Sequence, residues 1–275
     1  MKIVGKCCSQ DAVFFSILRK IRDKFNPFLQ PMIGQSFIVL NTVDSTNNHA
    51  MKLVREHKTS HGTVFFALEQ TKGKGQRNKN WESNAGENLL MSVVIDCTKY
   101  ALRKQFQLSM VTSLACYNLL KKYAGDETGI KWPNDLYWRD RKAGGILIEN
   151  IINGNNWETA VLGIGINVNQ TAFPVMNRKA VSLKQISGKD LDPIEIAKEL
   201  CIELEKMISL MNDDKSDELL GLYNKVLYKK DQVSRFNKDN LTIEARVKGV
   251  NIDGNLILEG FSNPTISWGE MEWID

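Results

Sequence analysis

Apolar residues recur along this chain with two periods, and the switches between them mark its elements. Near the start Phe14, Ile17, Leu18, Ile21 and Phe25 share one face of a helix, closed off by the breakers Asn26-Pro27 and Gln30-Pro31. A strand is predicted over residues 36–40. Asp44-Ser45-Thr46 then forms a cap-rich turn into a helix through Ala50, Leu53, Val54 and His57. Residues 63–68 and 88–95 read as buried strands, separated by a basic loop at 71–80. Helical period returns over 102–123, with Phe106, Met110, Leu114 and Tyr117 on one stripe. Four strand-like runs follow at 130–132, 136–138, 143–151 and 157–168. Arg139-Asp140-Arg141 and Asn153-Gly154-Asn155-Asn156 are hairpin turns between them. Asp192-Pro193-Ile194-Glu195 starts a helix running to about Met211, with Asp as cap and Pro in the first turn. Another helix is expected over 216–228. Short strands and turns over 231–275 suggest a small β-barrel.

Composition narrows the class. The 275 residues are 43% hydrophobic and 25% charged, enough for a core without staples. A net charge of +4 is too weak to argue for nucleic acid. The five cysteines, Cys7, Cys8, Cys97, Cys116 and Cys201, form no C-x-x-C pair, and the three histidines form no H-E-x-x-H. Reduced thiols in a cytoplasmic setting fit best. No apolar run approaches the roughly 18 residues of a membrane span. Lys2, Lys6 and the short apolar stretch 12–18 faintly mimic a signal peptide, but the cations Arg19, Lys20, Arg22 and Lys24 follow.

Four segments carry candidate chemistry. The loop from Gln70 to Trp81 holds Lys72, Lys74, Arg77 and Lys79 among glycines; exposed amides and cations suit phosphate oxygens, though a plain solvated loop has the same composition. It is neither a Walker A loop nor a dinucleotide fingerprint. Lys131-Trp132-Pro133-Asn134-Asp135 places polar groups at a strand tip, and Lys142 returns to it on the next strand. Asn134 offers the donor and acceptor an adenine edge requires, while a Lys–Asp pair is equally a structural salt bridge. Gly163 and Gly165, inside a β-run, mark close approach by a ligand or by packing. Ser45, Thr46 and Asn47 supply short donors and acceptors for a neutral ureido ring, or simply cap a helix.

In order and spacing, Ser45-Thr46-Asn47, Gly73-Lys74-Gly75 with Trp81, Lys131–Asp135 with Lys142, and Gly163–Asn167 resemble the biotin–protein ligases, from about residue 33 onward. The resemblance implies an α+β fold: a mixed sheet with helices, like that of class II aminoacyl-tRNA synthetases, plus a C-terminal SH3-like barrel. It divides the chain into an appendage at 1–31, a catalytic domain at 32–225 and a barrel at 226–275. By resemblance, Ser45, Thr46, Asn47, Gln70, Lys74, Gly75, Gln76, Lys142 and Gly145 would bind biotin. Gly73, Lys74, Gly75, Arg77, Trp81, Lys131, Asn134 and Asn167 would bind ATP. Lys142, Lys131 and Asp135 would be catalytic, with Mg2+ carried by ATP and Asp135 a candidate ligand for it. The implied partners are biotin and a biotin carboxyl-carrier domain, without nucleic acid or membrane; a homodimer is left open. Gln76, Asn78 and Ala143-Gly144 depart from the common family pattern, which bears on loop closure.

The implied activity is ATP-dependent conversion of biotin to biotinyl-5'-AMP and its transfer to a lysine. Two other readings stand beside it: a lipoate–protein ligase on the same fold, and a biotin-responsive DNA-binding regulator. The 31 residues ahead of the resemblance, with one clear helix, are expected to be too few for a recognition helix on its own scaffold. A nucleic-acid-binding barrel module is a further alternative for the C-terminus.

Overall fold

Strand alternation sorts the side chains of a central sheet onto two faces, and the two faces have different fates. In the computed structural model the described residues are 32–173, 180–212, 215–261 and 263–274, so the helix expected at 14–25 lies outside them. Seven strands form the sheet: β1 (Phe37–Val43), β2 (Val64–Gln70), β3 (Leu89–Asp96), β4 (Thr128–Lys131), β5 (Asp135–Trp138), β6 (Arg141–Asn153) and β7 (Asn156–Ile166). Their order is β1-β2-β3-β7-β6-β5-β4. Only β1 and β2 pair in parallel, and the crossover such a pair requires is α1 (Thr46–Arg55). The remaining neighbours are antiparallel, so the sheet is mixed as expected.

On one face Leu89, Met91, Val93 and Ile95 of β3 and Leu162, Ile164 and Ile166 of β7 enter the main core. That core is covered by α2 (Gln105–Ala124) and α4 (Pro193–Asn212). Because α2 packs against both the sheet and α4, it buries more than the single stripe predicted for it. Leu108, Val111, Ala115 and Leu119 are buried, while Phe106 and Tyr117 only pack against the margin. On the other face α1 covers a smaller cluster of Ala50, Met51, Phe65, Val94 and Val161. The rest of that face is left for the site described below.

Asp192 caps α4 as predicted, its Oδ1 accepting from the Ile194 amide at 2.8 Å. The short α3 (Leu183–Ser187) carries a capping box that was not anticipated, Ser182 with Gln185. The helix expected over 216–228 is shorter: α5 covers Ser216–Lys225. Leu227 instead bridges Ile130, with the Ile130 amide donating to Val226 at 2.9 Å and the Tyr228 amide to Ile130 at 2.8 Å. Pairing with β4 offers those amides fixed partners and overrides the helical pattern. Beyond it, β8 (Val233–Lys238), β9 (Leu241–Val250), β10 (Leu256–Glu259), β11 (Thr265–Ile266) and β12 (Glu272–Trp273) make a curled five-stranded antiparallel sheet, ordered β11-β10-β9-β8-β12.

Candidate active site

The site begins with three missing side chains. On the face of the sheet away from the main core, Gly145 of β6 pairs directly with Gly165 of β7, and Gly163 pairs with Ser92 of β3. A Cβ on Gly163 would lie 2.3 Å from Asn47 Oδ1, and one on Gly165 would lie 2.7 Å from the Trp81 ring. The glycines therefore form a trough in which Asn47 and the Trp81 indole lie against backbone.

This trough floors a cavity that opens to solvent. Its walls include Ser45, Thr46, Asn47, Gln70, Lys74, Gly75, Gln76, Trp81, Asn134, Asp135, Lys142 and Gly145. Thus β2, β5, β6, β7, the start of α1 and the 71–81 loop converge on one place. One end is neutral and polar. Ser45 occupies the N-cap position of α1 but makes no side-chain cap, so its hydroxyl is not spent on the helix. Gln70 Oε1 takes over part of that duty, accepting from the Thr46 amide at 2.7 Å. Asp44, just outside, holds its carboxyl below the usual range, chiefly because Asn48 donates to it at 2.6 Å.

The other end is charged. Lys142 Nζ lies 2.7 Å from Asp135 Oδ1, with both side chains partly exposed, and sits 5.6 Å from the Trp81 ring centroid. The hairpin register explains the meeting: Asp135 pairs with Gly145, and a shift between Leu136 and Tyr137 sets Lys142 opposite Tyr137. Asn134 closes the hairpin, its Nδ2 donating to Ile146 O at 2.7 Å. The loop folds as a tight turn, with the Gly75 amide donating to Lys79 O at 2.7 Å and the Trp81 amide to Gly73 O at 2.9 Å. Lys74 faces Glu149 across the cavity edge at 3.6 Å. The buried Nε1–H of Trp81 has no acceptor among the described residues.

Four expected site residues stand elsewhere. Lys131 does not line this cavity. It is 3% exposed, with its ammonium 4.8, 5.4 and 4.9 Å from the ring centroids of Tyr137, Tyr228 and Trp273. Three aromatic faces draw the cation away from the cavity. Asn167 is also outside, because its Nδ2 is engaged by the carbonyls of Lys142 and Val181 at 3.3 and 3.2 Å. It supports the backbone of Lys142 rather than facing a ligand. Gly73 and Arg77 line a neighbouring groove that runs past α2 and residues 253–255. A Cβ on Gly73 would lie 2.3 Å from Trp81 O, and the Arg77 guanidinium stacks 5.4 Å from the Trp268 centroid.

Two residues escaped the sequence reading. Ser92 is fully buried, with its hydroxyl oxygen 2.7 Å from Thr46 Oγ1 and 2.6 Å from Asn47 Oδ1. Glu149 accepts from Asn47 Nδ2 at 2.8 Å. The signal was present: Ser92 is the one polar residue inside the apolar run Leu89-Leu90-Met91-Ser92-Val93-Val94. Such a residue requires a partner.

Residues 39–167 match the biotin/lipoate A/B protein ligase family. The bifunctional ligase/repressor BirA of Bacillus spizizenii is 32% identical over 178 residues, 64% of this chain and 54% of that protein. The biotin–[acetyl-CoA-carboxylase] ligase of Paracoccus denitrificans is 36% identical over 163 residues, 57% of this chain and 66% of its own. The chain thus spans about half the length of the bifunctional relative. A solved structure of the biotin protein ligase of Aquifex aeolicus in complex with biotin and ATP superposes with a TM-score of 0.72 at 26% identity, covering 86% of this chain and 98% of that one. The seven-stranded mixed sheet and its glycine trough thus lie largely in a segment, residues 39–167, that is similar to the biotin/lipoate A/B protein ligase family.

Proposed function

We propose that this chain activates biotin with ATP to biotinyl-5'-AMP and passes the biotinyl group to a lysine of a biotin carboxyl-carrier domain. The observation that carries the reading is the polarity of the cavity: neutral donors and acceptors at one end, the Lys142 ammonium at the other, glycine backbone between. A bicyclic ureide with a carboxylate tail has that same polarity. The relative from Aquifex aeolicus, solved with biotin and ATP, supports the pairing of ligands.

A carboxylate does not acylate an amine unaided. In the proposed first step a biotin carboxylate oxygen attacks the α-phosphorus of ATP, the bond to pyrophosphate breaks, and a mixed anhydride results. Lys142 offsets negative charge shared by carboxylate and phosphorus, and Asp135 holds the ammonium in place. Lys74 and the loop amides add positive potential at the mouth. The unpartnered Trp81 N–H has an acceptor to gain from the ligand. In the second step the acceptor lysine's amine attacks the acyl carbon and AMP leaves; holding both reactants together supplies much of the rate.

Among the described residues no three carboxylate, imidazole or thiol groups gather as a metal site. In this proposal Mg2+ enters with the ATP phosphates, and Asp135, at the charged end of the cavity, is the carboxylate that would meet it. We assign the catalytic unit to 32–225 and the barrel to 226–275, the curled sheet β8–β12 supplying the latter's strands. Mass spectrometry of a carrier domain after incubation with the chain, Mg·ATP and either biotin or lipoate tests the reading. Addition of biotin alone is expected; modification by lipoate in its place would move the chain to the other branch of its family.

A further inference from the structure

We infer that Ser92, which does not touch the ligand, sets which end of a hydrogen bond Thr46 presents to it, and so makes the neutral end of the cavity selective for a ligand N–H. The inference rests on the proposed biotin activity. It follows from counting protons in a buried network.

Asn47 comes first. Its Nδ2 lies 3.2 Å from Leu147 O and 2.8 Å from Glu149 Oε2, both acceptors, so both amide hydrogens are committed there and its orientation is fixed. Asn47 Oδ1, 2.6 Å from Ser92 Oγ, can only accept. The single Ser92 proton therefore goes to Asn47. Ser92 Oγ also lies 2.7 Å from Thr46 Oγ1, and with its own proton spent it must accept there. Thr46 donates to Ser92. Its hydroxyl then has no hydrogen left for Gln70 Oε1, 3.2 Å away, which is served instead by the Thr46 amide. What Thr46 Oγ1 retains for the cavity is a lone pair.

Two consequences follow. Asn47, with its amide fully engaged and Gly163 backbone beneath it, is a positioning residue and does not read the ligand through its N–H groups. Thr46 requires a donor opposite it. A cyclic urea supplies one. A cyclic carbamate, with ether oxygen replacing that N–H, sets two acceptors against each other in a buried site where nothing compensates. Burial makes the chain rigid: Ser92 is 0% exposed, Asn47 3% and Thr46 4%.

The experiment measures affinity for biotin and for its two cyclic carbamate analogues, each with one ureido N–H replaced by oxygen, by titration calorimetry. The probes are applied to the wild-type chain and to Ser92→Ala and Ser92→Cys. Wild type should favour biotin over at least one carbamate by more than about 100-fold. Ser92→Ala frees the Thr46 proton, so that ratio should fall to within about tenfold. Ser92→Cys, nearly the same size with a weaker donor, should fall between. A merely structural role would weaken all three ligands together and leave the ratio alone. A ratio unchanged in either folded variant overturns the inference. So does wild-type protein that binds biotin and both carbamates equally, with no variant needed. Protein that binds none of the three removes the functional reading as well.

Discussion

At the scale of single residues, charge and volume are both testable. Lys142→Ala removes the ammonium paired with Asp135, and because the side chain is a third exposed the fold should survive. Losing one charge-assisted contact to the reacting centre costs about 2–4 kcal/mol, or roughly 30- to 1,000-fold in biotin-dependent pyrophosphate exchange. Near-normal exchange would remove Lys142 from the chemistry. Gly165→Ala probes volume. Its Cβ would fall 2.7 Å from the Trp81 ring, and overpacking of this kind costs about 1–3 kcal/mol. The expected result is a raised KM for biotin together with a Tm lowered by several degrees; an unaltered KM would mean that Trp81 relocates freely. What could be read at this scale from sequence was residue type in order: Ser45-Thr46, Lys142 and the Gly163/Gly165 pair. What could not be read was which hydrogen a side chain keeps for a ligand. Asn47, Asn134 and Asn167 look alike in sequence, yet each commits an amide hydrogen to backbone carbonyls of the sheet and its margins. Lys131 was misplaced because its aromatic partners Tyr228 and Trp273 lie about a hundred residues or more away in sequence.

Among elements, the 71–81 loop has the most to do. Its turn is held by Gly75–Lys79 backbone pairing, and its cations are tied at three points: Lys74 to Glu149, Arg77 to Trp268 and Lys79 to Glu272 at 3.3 Å. These are exposed contacts, individually weak. Gln76, in contrast, lines the cavity and carries no charge. A neutral hydrogen bond to an anion is worth about half a charge-assisted one. Gln76→Arg should therefore slow release of biotinyl-5'-AMP into solution, measured by stopped-flow. An unchanged or faster release would exclude Gln76 from retention. The sequence made this loop legible through its glycines and cations, and the central strands through largely apolar runs. Helix ends were less legible. The pattern of 216–228 is helical throughout, but α5 stops at Lys225 because Ile130 pairs with the backbone of 226–228. Local periodicity carries no information about a strand edge in need of partners.

For the whole molecule, two long-range features bear on stability. His61 accepts from the Asp96 amide at 3.1 Å, and burial holds its pKa below the ordinary value, partly opposed by Glu205 and Asp96. The unfolded chain thus binds the proton more tightly. Stability from this site is present above about pH 6.5 and is lost as pH falls through the lower folded value. Tm should decline across that acid range, and His61→Gln, which keeps an acceptor but cannot charge, should flatten the decline; parallel curves would assign the loss elsewhere. The second feature joins the two sheets. Phe236, Val247, Leu256 and Trp273 of the C-terminal sheet belong to the same core as Ile130, Leu136 and Tyr223. Trp132 Nε1 donates to Gly254 O at 2.9 Å, and Asn224 exchanges hydrogen bonds with the Val250 backbone at 2.9 and 2.7 Å. At the centre stands Lys131, on the strand leading to Asn134 and Asp135, with its ammonium enclosed by Tyr137, Tyr228 and Trp273. Such contacts are worth about 2 kcal/mol when desolvated. Trp273→Ala should cost about 3–5 kcal/mol through lost volume and lost enclosure together. Lys131→Met keeps the volume and removes the charge, so a double-mutant cycle isolates the cation's share. Denaturant unfolding of the wild type should be a single transition, with a coupling of about 1–2 kcal/mol between the two substitutions. Additive effects, or a first transition in which β8–β12 melts while the cavity still binds biotin, would show that the curled sheet is a passenger on the catalytic one.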